Sequence, residues 1–235
     1  MRAETERSPL ASYGRRKGKK LSPRKQELLD RVLPQYAVAL PEDGKRLDIA
    51  ALFPGSGDTF LEIGFGAGEH LAALAARHPE RYFIGGEVYL NGVVSLLDKI
   101  DTDKLTNIRL FTEDARQLMQ ALPDSSLAGT YLLFPDPWPK QRHHKRRIIC
   151  DVFLQEAVRL LKPGGILQLA SDHADYVAWM LEHVLACPQL EWQAERADDW
   201  RIPPPDWVPT RYETKTRAEG HMPTYIRCIN GTSSC

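Results

Sequence analysis

From Thr59 onward the chain repeats one unit: a short apolar run, a turn, then an amphipathic stretch. The apolar runs are FLEIGF, RYFIGGEV, NIRLFTED, GTYLLFP and ILQLAS. The first four are followed by HLAALAARH, a segment around VVSLLDKI, ARQLMQAL and IICDVFLQEAVRLLK, and HADYVAWMLEHVLA follows the fifth. Strands alternating with helices of this length predict an α/β fold with a mostly parallel sheet covered by helices on both faces. Ligands of such sheets bind outside the carboxyl ends of the strands. That directs attention to Glu62 through Gly68, Glu87, Asp114, Asp136 and Asp172, which all fall at predicted strand ends. Pro163-Gly164-Gly165 is expected to stop the helix before the fifth strand, and MPTYIRCIN reads as a last strand.

The 235 residues suit one generous domain, and 43% hydrophobic residues suffice for a real core. No apolar run approaches the roughly eighteen residues of a membrane span, and no secretory signal is evident, so a cytoplasmic protein is expected. Cys150, Cys187, Cys228 and Cys235 are far apart and lack metal-type pairing, which fits reduced thiols and no metal. Net charge is zero but unevenly spread. Residues 1–33 carry ten Lys/Arg against four Asp/Glu, a surplus of six that the rest of the chain balances. Residues 1–20 read as a flexible basic arm, and 21–235 as a single domain. Ser22-Pro23 marks a helix start before KQELLDRVL. After Leu190 the chain becomes rich in proline and aromatics without a clear period and is expected to be a long loop.

LEIGFGAGEHL places Gly64, Gly66 and Gly68 in a G-x-G-x-G turn between strand and helix. Such glycines let backbone approach a ligand at a helix N-terminus. The third glycine comes one residue earlier than in the dinucleotide fingerprint, and Glu62 precedes the first by two. That variant suits S-adenosylmethionine, whose methionine end is cationic and which has no pyrophosphate. Glu87 is placed to accept from both ribose hydroxyls of an adenosine, a role equally compatible with NAD. Asp114 is either an acceptor for an adenine amine or an N-cap. Asp172 has the same N-cap alternative.

FPDPWPKQRHHKRRI is the densest chemical signal. Pro135, Pro137 and Pro139 fix φ and are expected to hold their predecessors extended, so PDPWP is a stiff projection. It carries Asp136 toward the ligand cleft. Trp138 is either a stacking surface or a core anchor. Lys140, Arg142, His143, His144, Lys145, Arg146 and Arg147 follow as a surface for phosphate contacts. Arg15, Arg16, Lys17, Lys19 and Lys20 form a second basic cluster.

LEIGFGAG, GGEVY, EDA, FPDPWPKQRHHKRRI, SDHADY and TRYETK, in this order, resemble the bacterial tRNA (guanine-N7)-methyltransferases. The likeness runs from GRRKGK to about Tyr225, and the proline-rich motif is its most specific part. The resemblance implies a Rossmann-like S-adenosylmethionine-dependent methyltransferase fold, with seven strands of which the last is antiparallel. It implies cofactor contacts for Glu62, Gly64, Gly66, Gly68, Glu87, Asp114 and Asp136, with Asp136 also catalytic. It implies tRNA contacts for Lys140, Asp172, Thr210, Arg211, Tyr212 and Glu213, the last four in a substrate loop near 196–220. Without the resemblance Glu213 reads as a surface acid. The target it implies is N7 of the variable-loop guanine of tRNA. Monomer and homodimer both stay open, and nothing is assigned to the tail after Tyr225.

Overall fold

The computed structural model describes residues 16, 18, 20–42 and 44–231. Most of the basic arm (1–15, 17 and 19) and Cys235 lie outside the described residues. The end of the arm is docked rather than free. Gly18 N–H donates to Asn91 Oδ1 at 3.1 Å, and the Arg16 carbonyl accepts from Leu90 N–H at 3.1 Å.

Seven strands form one sheet: β1 (Thr59–Ile63), β2 (Tyr82–Gly86), β3 (Ile108–Phe111), β4 (Leu127–Leu133), β5 (Leu161–Ser171), β6 (Leu190–Trp192) and β7 (Thr224–Asn230). Their spatial order is β3-β2-β1-β4-β5-β7-β6. The first five run parallel, and β7 enters antiparallel between β5 and β6. The expected mostly parallel sheet with an antiparallel last strand is therefore present.

Helices α1 (Pro23–Arg31), α2 (Leu33–Tyr36) and α3 (Ile49–Leu52) precede the sheet. Between strands lie α4 (Glu69–Arg77), α5 (Leu90–Asp103), α6 (Ala115–Ala121), α7 (Asp151–Leu160) and α8 (Ala174–Leu185). The short α9 (Asp198–Arg201) and α10 (Arg211–Ala218) follow β6. One face of the sheet packs α1, α4 and α5 through Leu28, Leu71, Val93 and Leu97 onto Phe60, Phe83 and Ile108. The other packs α6, α7 and α8 through Leu118, Phe153 and Met180 onto Leu61, Ile84 and Leu169. Strands β1 to β4 divide their apolar side chains between these two layers, which is why those runs read as nearly continuously hydrophobic.

Glu62 is the last residue but one of β1, in register with Gly85 and Tyr131. One expectation needs correction. Pro163-Gly164-Gly165 does not separate helix from strand. Strand β5 already begins at Leu161, and the triplet, with Gly164 at φ +75°, lies where the register with β4 shifts. The last strand expected over MPTYIRCIN is β7, in which Ile226 and Cys228 are fully buried.

Gly68 caps α4 at φ +73°, a left-handed conformation that costs any side chain strain. A Cβ there would also stand 2.8 Å from Leu96 Cβ in the core. Gly68→Ala is expected to destabilise by about 1–3 kcal/mol. For a chain of this size that lowers Tm by roughly 2–10 °C. Differential scanning calorimetry checks it, and an unchanged Tm would mean that the turn relaxes freely.

Candidate active site

The strand order reverses direction between β1 and β4, and a cavity of about 450 Å³ opens there at the carboxyl ends of the strands. Its walls come from Gly64 after β1, Glu87 after β2, Asp114 after β3, and Phe134, Asp136 and Trp138 after β4. Three of the acids expected at strand ends therefore meet in one cleft. Its size falls within the range that encloses a small cofactor.

Glu87 holds the floor of the cleft. One carboxylate oxygen accepts from Gly66 N–H at 2.9 Å, the other from Tyr89 N–H at 2.8 Å. The side chain thus ties the glycine turn to the start of α5, and each oxygen keeps a lone pair for a ligand. Burial pushes its pKa above the ordinary carboxylate value, backbone hydrogen bonds oppose the rise, and the charge of Asp136 adds to it. Gly64 lines the cavity, and no atom lies within 4 Å of where its Cβ would stand. Gly66 and Gly68 shape the turn without lining the cavity.

Asp114 fulfils one of its two readings and is placed for the other. Its carboxylate caps α6 by accepting from Arg116 N–H at 3.1 Å and Arg116 Nε at 2.8 Å. It also lines the cavity.

The projection departs from expectation in one respect. Phe134 (φ +50°) and Trp138 (φ +43°), each before a proline, adopt left-handed rather than extended backbone. Non-glycine residues held there are strained, and such strain gathers at functional sites. Both left-handed residues line the cavity, with Asp136 exposed between them. Trp138 lines the cavity, with the Arg146 guanidinium 4.8 Å above its ring and His143 edge-on at 5.8 Å. It serves the cleft rather than anchoring the core. Partial desolvation, then the cations Arg146, Arg142, Lys140 and Lys145, hold the His143 imidazole below its usual pKa. Lys140, Arg142 and Lys145 are exposed on and beside the short 3₁₀ helix Gln141–Arg146.

Arg147, expected on that basic surface, is instead buried. Its Nε donates to Pro137 O at 3.0 Å and its Nη2 to Asp175.

Glu62 does not line the cavity. It is buried, and its carboxylate lies 2.7 Å from His70 Nδ1, a pairing that links β1 to α4. His70 in turn packs against the rings of Tyr131 and Trp207. Burial, and secondarily the nearby Glu62, pushes the Tyr131 hydroxyl up to about 12.

The substrate-loop residues divide. Thr210 caps α10, accepting from Glu213 N–H at 3.0 Å. Arg211 is exposed. The Tyr212 hydroxyl reaches both oxygens of Asp172 at 3.3 Å, and its ring lies 5.4 Å from that of Phe134. Asp172 therefore binds this segment to the end of β5. It does not cap α8, since the N-cap there is His173 and the side-chain acceptor nearby is Ser171 Oγ. Glu213 is not a surface acid. It is fully buried, accepting from Trp207 Nε1 at 2.8 Å, Tyr225 OH at 2.5 Å and Arg217 Nε at 3.0 Å. The long loop thus holds a short helix, α10, whose signal in the sequence was the Thr210-x-x-Glu213 capping spacing. Sequence reasoning missed His70 and Trp207. Neither carries a motif, and both gain meaning only through contacts between distant segments.

Residues 56–225 match a family model described as "Putative methyltransferase". A curated protein of Rhodospirillum rubrum named tRNA (guanine-N(7)-)-methyltransferase is 50% identical over 217 residues, covering 91% of this chain and 85% of the relative. One of the same name from Agrobacterium fabrum is 44% identical, covering 95% and 96%. Among solved structures, a 16S rRNA methyltransferase KamB aligns at 12% identity with TM-score 0.53, over 91% of this chain and 96% of that one. An antibiotic-related methyltransferase aligns at 13% and 0.53, over 81% and 98%. These two share the fold alone. At such identity over nearly the full length, the chain belongs to the tRNA (guanine-N(7)-)-methyltransferase family.

Proposed function

We propose that this protein transfers a methyl group from S-adenosylmethionine to N7 of the variable-loop guanine in tRNA. The observation that carries the reading is the placement of Asp136. It stands exposed at the mouth of a cleft floored by Glu87 and Asp114, beside an exposed cationic helix.

The residues present fit the cofactor. The paired oxygens of Glu87 suit ribose hydroxyls, the carboxylate of Asp114 suits an adenine amine, and the open side of Gly64 leaves room for the chain between. When bound, S-adenosylmethionine supplies an electrophilic methyl group on a sulfonium. Guanine N7 already carries a lone pair and no proton, so no base is needed to create the nucleophile. What the protein supplies is alignment and electrostatics. The base starts neutral and becomes cationic as the N7–carbon bond forms. Asp136, fixed between two strained residues, stabilises that growing charge and accepts from the base. Trp138 offers a stacking face beside it. Lys140, Arg142 and Lys145 contact phosphates, and Arg211, Tyr212 and Asp172 present the remaining edge of the substrate surface. His143 is part of this surface, and since N7 carries no proton the transfer gives it none to remove.

The test is methyl transfer from labelled S-adenosylmethionine to unmodified tRNA transcripts, followed by identification of the labelled nucleoside. The expected product is 7-methylguanosine, lost when the variable-loop guanine is replaced. Label entering another RNA, or none, overturns the substrate assignment. Thermal unfolding tests the cofactor separately. S-adenosylmethionine at one hundred times its Kd should add about 2.7 kcal/mol of stability, while NAD should add none. The reverse would make the cleft a dinucleotide site.

A further inference from the structure

Arg147 is a charge placed where charge is costly. Its side chain is 1% exposed. Burying a guanidinium needs full compensation, and removing the need for it with an apolar residue is often neutral or favourable. Its compensation here is specific. The guanidinium carbon lies 5.0 Å over the rings of both Tyr176 and Trp179 on α8. Its Nη2 reaches Asp175 on the same helix, and its Nε donates to the carbonyl of Pro137 at 3.0 Å. Trp179 is itself fixed by donating Nε1 to Ile149 O at 2.8 Å.

Pro137 lies between Asp136 and Trp138. Positions 135, 137 and 139 have no backbone N–H, so the projection cannot be pinned by a sheet or helix ladder of its own. A donor must come from elsewhere, and Arg147 provides it.

We infer that Arg147 is a positioning residue for the methyl transfer: it transmits the rigidity of α8 to the Asp136 projection through the Pro137 carbonyl. This rests on the reading of Asp136 given above. A planar guanidinium stacked on two rings while donating along its edge cannot be replaced by an ammonium. Displacement of a catalytic group by about 1 Å costs on the order of a hundredfold in rate.

Arg147→Lys should therefore lower kcat about 10–100-fold, with Kd for tRNA and for S-adenosylmethionine within roughly threefold of wild type. In the Asp136→Ala background Arg147→Lys should add little, because both changes remove one function. Trp179→Leu takes away one of the two ring faces and the Nε1 bond to Ile149 O, and leaves Arg147 itself in place. It should reproduce a smaller loss of the same kind, and it serves if Arg147→Lys does not fold. The inference is overturned if Arg147→Lys keeps kcat within about twofold, if it weakens tRNA binding at unchanged kcat, or if the two losses multiply in the double variant. Failure of the Asp136 reading looks different: Asp136→Ala alone would then retain turnover.

Discussion

Replacing Asp136 by alanine is expected to lower turnover on the order of a hundredfold or more, the usual cost of one preorganised electrostatic group. The protein should still fold, since Asp136 is exposed and no hydrogen bond joins its side chain to another described residue. Asp136→Asn separates the causes. It keeps shape and accepting ability but removes the charge that faces a base turning cationic. A large loss in both variants assigns the effect to charge, and a loss in alanine alone assigns it to hydrogen bonding. Loss of charge should also bring the Glu87 pKa down, because Asp136 contributes to its rise. Single-turnover methyl transfer, with cofactor affinity measured by calorimetry, checks the prediction. Near-normal turnover in Asp136→Ala would remove the residue from the mechanism.

How much of this was legible beforehand depended on the range of the interaction. The alternation from β1 to α8 follows from periodicity within each segment, and the sheet was readable. Glu87, Asp114 and Asp136 were readable because each follows a strand by one to three residues, and topology brings strand ends together. Glu62, the last residue but one of β1, does not line the cleft. Inside a strand, a side chain faces one layer of the fold, and Glu62 faces α4 and His70 rather than the cleft. Arg147 was misplaced because charge clusters are read as surface, and sequence cannot show that Tyr176 and Trp179 wait on a helix some thirty residues away. The left-handed Phe134 and Trp138 contradict the ordinary preference before proline, a preference that only surrounding packing can override. The segment after Leu190 looked structureless because α10 is polar on every exposed side. Only its N-cap and one buried glutamate give it away.

That glutamate leads to the second large effect. Glu213 gathers Trp207 from the loop, Arg217 from α10 and Tyr225 from β7 around one buried carboxylate. Trp207 then packs tilted against His70, which pairs with Glu62 two residues before the glycine turn. One chain of contacts thus runs from the glycine turn to the segment around α10. Glu213→Ala leaves the Trp207 indole N–H and the Tyr225 hydroxyl without their shared acceptor, at about 1–3 kcal/mol each, while Arg217 is partly exposed and can turn to water. In a chain of this size a loss of about 2–6 kcal/mol lowers Tm by roughly 4–24 °C. Glu213→Gln is nearly isosteric but still fails: its amide must turn a donor toward either Trp207 Nε1 or the Tyr225 and Arg217 donors, at about 1–3 kcal/mol. Burial, and next the bond to Glu213, raises the Tyr225 pKa. Both variants should therefore bring the Tyr225 titration down, which ultraviolet absorbance can follow if the other tyrosines are subtracted. Released from this anchor, residues 196–220 should show faster amide exchange, and affinity for tRNA should fall while S-adenosylmethionine still binds. If Glu213→Ala melted with the wild type, the carboxylate would not be what holds the loop on the sheet.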